Sequence, residues 1–382
     1  MARQTKLWSI LAAIAALFIV LTACRAPVSA PAPATPAPAG ATAAAPVDEW
    51  QKVTEAAQKD GKVTLYVSAI SPVAIQAVTD AFKSKYGITI EWVQGTGPSN
   101  LEKIKNEQAA KAYTADLYFF GASIGWAAKE AKALVPMPDL PAAREQGVWR
   151  TNPYAFDSKD KVFVVTIDES PPGGQASFVN TKLVPPEKEP KSWQDLLDPQ
   201  WKGKILMTDP SVAGPGSDIF THFRRAGVLT TEYFEKLAKQ NPGFTRDYRG
   251  HIDAVGRGDY LIGIGGAFGI FAPPLVDAGL PVKPVFLKEG VQVAYMVFTM
   301  VANAPHPNAG RLFVNWVLTK EGQTVWNQAA QAVSLRTDVP NFAPPYLRIP
   351  PDVRRIPYEW DSLTQENQEI KDGVAAKIFG IK

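Results

Sequence analysis

Three strand-sized apolar runs, each followed by a helical run, constrain what the first half of this chain can become. They are Lys62 to Val67 (KVTLYV), Ile88 to Val93 and Ala115 to Phe120 (ADLYFF). Asp48 to Asp60 reads as a preceding helix with Trp50, Val53, Ala56 and Ala57 on one face, ended by Gly61. Val73 to Tyr86 is amphipathic, with Val78, Ala81 and Phe82 inward and Gly87 closing it; Leu101 to Ala112 is the next helix, and another reaches Ala133. That βαβαβα order calls for an open, parallel sheet. Ligands of such sheets bind outside the carboxyl ends of the strands, marked here by Ser68 to Ser71, Gly95 to Ser99 and Gly121 to Ser123. Each turn alone is ordinary turn chemistry. Three small, uncharged turns on one sheet edge point to binding, with Ser68, Ser71, Thr96, Gly97 and Ser123 as candidates.

The N-terminus reads as a targeting segment. Arg3 and Lys6 precede an apolar run from Leu7 to Val20, and Leu21-Thr22-Ala23-Cys24 has the form of a lipobox. Cys24 is the only cysteine, so no intrachain disulfide can form, and its position suits lipidation. The alternative is an uncleaved anchor of about 17 apolar residues, at the short limit for spanning a bilayer. Residues 1–23 are therefore expected to be a lipoprotein signal peptide and 24–47 a lipidated cysteine with its tether. Arg25 to Pro46 is mostly Ala, Pro, Thr and Ser and cannot bury a core. Extended at about 3 Å per residue, it reaches roughly 60–70 Å. The expected location is the cell envelope, outside the cytoplasm and membrane-anchored through Cys24.

From Asp48 to Lys382 the chain exceeds the usual single core, which predicts two lobes. Residues 48–170 are assigned to lobe 1, 171–287 to lobe 2, and 288–382 to the return to lobe 1 and the C-terminal helices. Lys161 to Ile167 and Ala176 to Asn180 read as strands around the first crossover, Pro281 to Leu287 as an exit strand and Val291 to Val301 as the return. Pro307-Asn308 starts a helix burying Leu312, Phe313, Trp316 and Val317. The fold class is α/β: two lobes, each an open, mainly parallel sheet flanked by helices, joined by crossover strands. One lobe inserted into another makes a hinge.

Lys191 to Gly216, KSWQDLLDPQWKGKILMTDPSVAGPG, carries the most information. Ser192 caps a short helix with Trp193, Leu196 and Leu197 on its apolar face, Asp198-Pro199 stops it, and Ile205 to Thr208 reads as a strand. Ser211, Gly214, Gly216 and Ser217 then lead to a helical run from about Asp218, a setting that suits an anion. The plainer reading is a βα loop with a capping serine. The whole string resembles the P-K-S-W-x-D-L-L-D-P-x-W-K-G-K-I-x-x-x-D-P segment of extracellular solute-binding proteins of ABC importers, in the branch that includes carriers of iron(III), thiamine and small phosphonates. The stretches beginning GKVTLYVS at Gly61, NPGFTRDYRG at Asn241 and APHPNAGRLF at Ala304 resemble that family's other signatures in the same order. The resemblance implies a type II periplasmic-binding fold, a small-molecule ligand and an ABC permease as partner.

Which solute is a separate question. Iron(III) carriers of this superfamily use an adjacent tyrosine pair with help from histidine and glutamate. By that resemblance these positions fall near Ala267-Phe268, Ile70 and Gly121, none of which ligates iron through its side chain. His222, His251 and His306 are scattered, and no acidic or histidine cluster has metal-ligand spacing. No metal or cofactor is expected, with iron(III) completed by a bound anion as the alternative. The turns suit a small organic anion such as a carboxylate or phosphonate. Arg246 is either a bidentate clamp for it or a surface partner of Asp247. Phe268 and Tyr295 each either contact the ligand or belong to the core.

Other functions find less support. Formal net charge is +3, two of it from the n-region, and no basic run stands out, so nucleic acid is not an expected partner. The body has no cysteine, no Gly-x-Ser-x-Gly elbow and no paired carboxylate motif, so catalysis is not expected. An enzyme or a ligand-sensing lipoprotein on the same fold is the alternative class, and the protein is expected to be a monomer.

Overall fold

The computed structural model describes residues 49–68, 70–121, 124–155, 159–167, 174, 176–212, 214–266, 268–357 and 363–381. Cys24 with the signal and tether segments, Ser123 and most of the first crossover (168–173) lie outside them. No helix among the described residues is long and apolar enough to cross a membrane.

The chain begins with α1 (Glu49–Asp60) and β1 (Lys62–Val67), then alternates through α2 (Pro72–Tyr86), β2 (Thr89–Gln94), α3 (Gly97–Ala110) and β3 (Leu117–Gly121). α2 starts where Ser71 Oγ accepts the Ala74 N–H and stops where Gly87, at φ 73°, closes the last turn. α3 begins earlier than the sequence suggested, because Thr96 accepts the Ser99 N–H and acts as its N-cap, with Pro98 in the first turn. α4 (Gly125–Glu130), β4 (Leu134–Val135) and β5 (Val164–Ile167) complete the N-terminal contribution.

The second body contains β6 (Ser177–Asn180), β7 (Ile205–Thr208), α5 (Pro215–Arg225), α6 (Thr231–Lys239), β8 (Gly243–Thr245), α7 (Tyr248–Arg257), β9 (Ile262–Ile264), α8 (Phe268–Asp277) and β10 (Val282–Val285). Its sheet runs β10-β6-β9-β7-β8. β7 is parallel to β8 and β9, whereas β6 is antiparallel to β9 and β10. Alternation along β6 separates two cores. Phe178 packs with Ile252, Val255 and Phe268, while Val179 packs with Ile205, Met207, Ile219, Phe220 and Phe234. The expected helix after Ser192 is a 3-10 turn, Gln194–Leu197, because Asp198-Pro199 ends it before an α-helix can propagate. Ser192 Oγ does accept the Asp195 N–H at 3.2 Å.

β11 (Val291–Val293) leads to β12 (Met296–Val301), α9 (Pro307–Leu318) and α10 (Lys320–Ala330). β12 enters the first sheet, ordered β2-β1-β3-β12-β4, with β5 also paired to β12. The βαβ strands β2, β1 and β3 are parallel, as their crossovers require; the returning β12 runs antiparallel to β3 and makes the sheet mixed. Phe82, Phe298, Phe313 and Trp326 fill the core beside it, with Phe82 and Phe313 edge to face at 5.1 Å.

Residues 288–382, expected to return to lobe 1, contribute side chains to the cores beside both sheets. β11 pairs with β13 (Arg355–Pro357), not with the first sheet. α11 (Leu363–Glu369) and the π-helical Ile370–Ala376 follow, and Ile356, Ile370 and Val374 are buried in the core of the second body. Arg225 Nε lies 3.2 Å from Glu366, tying α11 to α5.

Candidate functional site

The carboxyl edge of the first sheet offers hydroxyls that are largely occupied. Ser68 Oγ donates to the Phe119 carbonyl at 3.4 Å. Ser71 and Thr96 serve as N-caps of α2 and α3. Gly97 is buried against Ile124, and its carbonyl accepts the Tyr118 hydroxyl at 2.6 Å, so its backbone is a packing element. What this edge presents is two helix N-termini with no acidic residue in the first turn of either α2 or α3. Both ends favour negative charge nearby.

The corresponding edge of the second sheet is charged. Asp209 follows β7 and is 5% exposed. Its Oδ1 accepts the Ser211 N–H at 2.7 Å and its Oδ2 accepts Arg246 Nε at 2.7 Å. Arg246 Nη2 also reaches Ser211 Oγ at 3.3 Å. Arg246 therefore pairs with Asp209; Asp247, the partner weighed from sequence, instead accepts the Gly250 N–H as the N-cap of α7. Burial alone raises the Asp209 carboxyl, but the Ser211 and Arg246 hydrogen bonds outweigh it and hold the group below the ordinary aspartate range. The side chain of Arg246 is 60% exposed and that of Asp209 only 7%, so a buried anion holds a cation at the surface.

The turn into α5 is shaped by two glycines. Gly214 is its N-cap at φ 144°, a backbone that side chains rarely adopt. A Cβ on Gly216 would lie 2.4 Å from the Thr208 carbonyl, so only glycine lets the first turn of α5 rest on the end of β7. Ser217 is not a free hydroxyl. It is 2% exposed, donates to the Gly214 carbonyl at 3.1 Å and accepts the Gly214 N–H at 3.3 Å, spending its capacity on the turn.

The two aromatic candidates are placed by packing. Phe268 is 1% exposed and lies 4.8 Å from Phe178, ring centroid to ring centroid, so it is a core residue rather than a ligand-stacking one. Tyr295 is half-buried between β11 and β12, packed against the first core.

Sequence reasoning missed Asp209 as the holder of Arg246, weighing only Asp247 as its partner. It also missed Tyr248, whose hydroxyl lies 2.9 Å from where a Gly214 Cβ would stand. Burial, with the Asp218 carboxylate second, pushes its phenol up to about 12, so it is a neutral donor at physiological pH. Thr208 Oγ1 and His251 Nδ1 are buried without a partner among the described residues.

The histidines serve local structure. His251 Nε2 is 2.9 Å from the Leu206 carbonyl, and His222 Nδ1 is 2.7 Å from the Asp218 carbonyl. His306 bonds to the fully buried Asp116 at the opposite edge of the first sheet. Among the described residues no three His, Cys, Asp or Glu side chains come together to hold a metal ion.

Two helix-flanked sheets with polar loops at their carboxyl edges define a two-lobed solute-binding architecture. The chain belongs to the bacterial extracellular solute-binding protein family, whose model matches residues 77–348. A putative 2-aminoethylphosphonate-binding periplasmic protein of Salmonella typhi is 25% identical over 277 residues, 69% of this chain and 74% of that protein. The periplasmic binding protein AfuA from Actinobacillus pleuropneumoniae, solved with fructose-6-phosphate, aligns with TM-score 0.65 and 22% identity over 83% of this chain and 98% of that one. Iron-bound HitA from Pseudomonas aeruginosa aligns with TM-score 0.61 and 17% identity over 81% of this chain and 99% of that one. These structural likenesses establish the fold. Family membership implies a small-molecule ligand, an ABC transporter permease as partner and work outside the cytoplasm, and the family and these neighbours are binding proteins rather than enzymes.

Proposed function

We propose that this protein captures a small organic anion, a carboxylate or a phosphonate or phosphate ester, between its two lobes and delivers it to an ABC permease. The observation that carries this reading is the Arg246 guanidinium, exposed at the carboxyl edge of the second sheet and oriented by buried Asp209 beside Ser211 and the N-terminus of α5. A guanidinium fixed on one side keeps its outward N–H groups for a bidentate contact. On the first lobe, the N-termini of α2 and α3, capped by Ser71 and Thr96, supply the opposing dipoles. Ligand that bonds both lobes favours the closed form by its differential affinity. The relatives described as binding 2-aminoethylphosphonate or fructose-6-phosphate support an anion of this class.

Lipidation at Cys24 completes the reading, with the Ala/Pro-rich segment as a leash. Replacing Cys24 by Ser is expected to move the protein from the membrane fraction to the soluble one; unchanged partition argues against lipidation at that thiol. The ligand class is tested by thermal shift against dicarboxylates, 2-aminoethylphosphonate, fructose 6-phosphate, thiamine and ferric citrate. A ligand of the native state raises the melting temperature with concentration. Stabilisation by iron(III) alone would overturn the organic-anion reading.

A further inference from the structure

We infer that Tyr248 is a ligand-contacting, specificity-determining residue, its hydroxyl completing with Arg246 and Ser211 a preformed oxyanion subsite on the second lobe. The inference rests on the anion-binding reading above and adds a donor from the NPGFTRDYRG stretch to which the sequence assigned no role.

The placement argues for it. Arg246 and Tyr248 flank Asp247 at the start of α7, while Ser211 and Gly214 belong to the loop between β7 and α5. Arg246 Nη2 bridges to Ser211 Oγ at 3.3 Å, and the Tyr248 hydroxyl faces Gly214 so closely that a Cβ there would be 2.9 Å from it. The loop and the helix start are therefore joined at both points. Gly214 leaves the hydroxyl the room that any other residue would fill. Among the described residues, the hydroxyl has no hydrogen-bond partner. Its ring is half-buried, at 6.5 Å from Phe271, so packing holds the phenol while its polar end stays uncommitted. A neutral phenol donates without adding charge, and it complements a guanidinium already half-neutralised by Asp209. Three donor groups of different geometry suit an anion with several oxygens, and a phosphoryl group offers more acceptors than a planar carboxylate.

The test uses the full-length protein and its Tyr248→Phe variant, with inorganic phosphate as the probe in crystals and in solution titration. The expected crystal structure has phosphate within hydrogen-bond distance of Arg246, Ser211 and Tyr248. The variant is expected to melt at the wild-type temperature without phosphate, because the hydroxyl it lacks has no protein partner. It should bind phosphate about tenfold to a hundredfold more weakly, the usual cost of one hydrogen bond to a charged group. Phosphate absent from this position, or bound equally well by Tyr248→Phe, overturns the inference. The two readings fail separately. Phosphate seated here in a protein that binds no organic anion sinks the transport ligand and spares the subsite; organic anions bound equally by wild type and variant do the reverse.

Discussion

Arg246 donates through Nε to Asp209 Oδ2 at 2.7 Å, and the two side chains differ sharply in exposure, 60% against 7%. The pair spans neighbouring strand ends, since β7 and β8 are parallel with Thr208 opposite Thr245. A buried carboxylate that accepts from the Ser211 backbone as well cannot follow the guanidinium outward; the guanidinium is held to it.

Replacing Asp209 by Asn keeps the shape and removes the charge. Loss of the charge-assisted bonds is expected to lower stability by about 1.5–3 kcal/mol and to weaken anion binding, because Arg246 is no longer oriented. Urea denaturation with a parallel titration checks this. Unchanged binding in a folded Asn variant would show that Asp209 does not position the guanidinium.

His251 predicts a pH dependence. Burial depresses its pKa from 6.5 to about 4, opposed by the Leu206 backbone bond and by Asp247. The folded state thus disfavours the protonated form, so this stability is fully present above pH 6.5 and is lost as pH falls toward 4. The shift corresponds to about 3 kcal/mol. Compared with His251→Gln, the wild type should lose stability more steeply between pH 6.5 and pH 4 in urea titrations. Parallel slopes would mean that His251 does not titrate from a buried neutral state.

How much of this was legible in the sequence depended on local signals. β1 and β7 were read residue for residue, because each apolar run is bounded by an unambiguous stop, Gly61 before one and Asp209-Pro210 after the other. Pairing order was not legible: nothing local says that Val291 lies beside Arg355. Arg246 was visible as a candidate cation, yet its partner sits 37 positions upstream and was brought alongside only by strand pairing. An aromatic residue after a buried strand satisfies both a core and a cleft, so Phe268 stayed ambiguous until its neighbours were known. Tyr248 lay inside the NPGFTRDYRG stretch, yet nothing local gave it a role, because its significance lies in a close approach to Gly214.

Phe268→Ala should therefore behave as a core mutation. Removing a ring that is 1% exposed is expected to cost about 3–5 kcal/mol. Below the melting transition, anion affinity should stay within about twofold of wild type on the scale of measured binding differences. A folded variant that loses binding would return Phe268 to the ligand site.

The C-terminal segment is predicted to be part of the second lobe's stability. Ile370 is fully buried in the same core as Phe220 and Phe223. Ile370→Ala is expected to cost about 2–5 kcal/mol in chemical denaturation. A negligible cost would mean that the tail does not pack there in solution.

If Arg246 on the second lobe holds an anionic solute, calorimetric titration of wild type against Arg246→Ala must show it. Titrants would be 2-aminoethylphosphonate, fructose 6-phosphate and a small dicarboxylate. The wild type is expected to bind at least one of them and the variant to bind it at least about tenfold more weakly, a loss of about 1.4 kcal/mol or more. Equal affinity in the two proteins, or binding of iron(III) in place of every organic anion, would contradict this expectation.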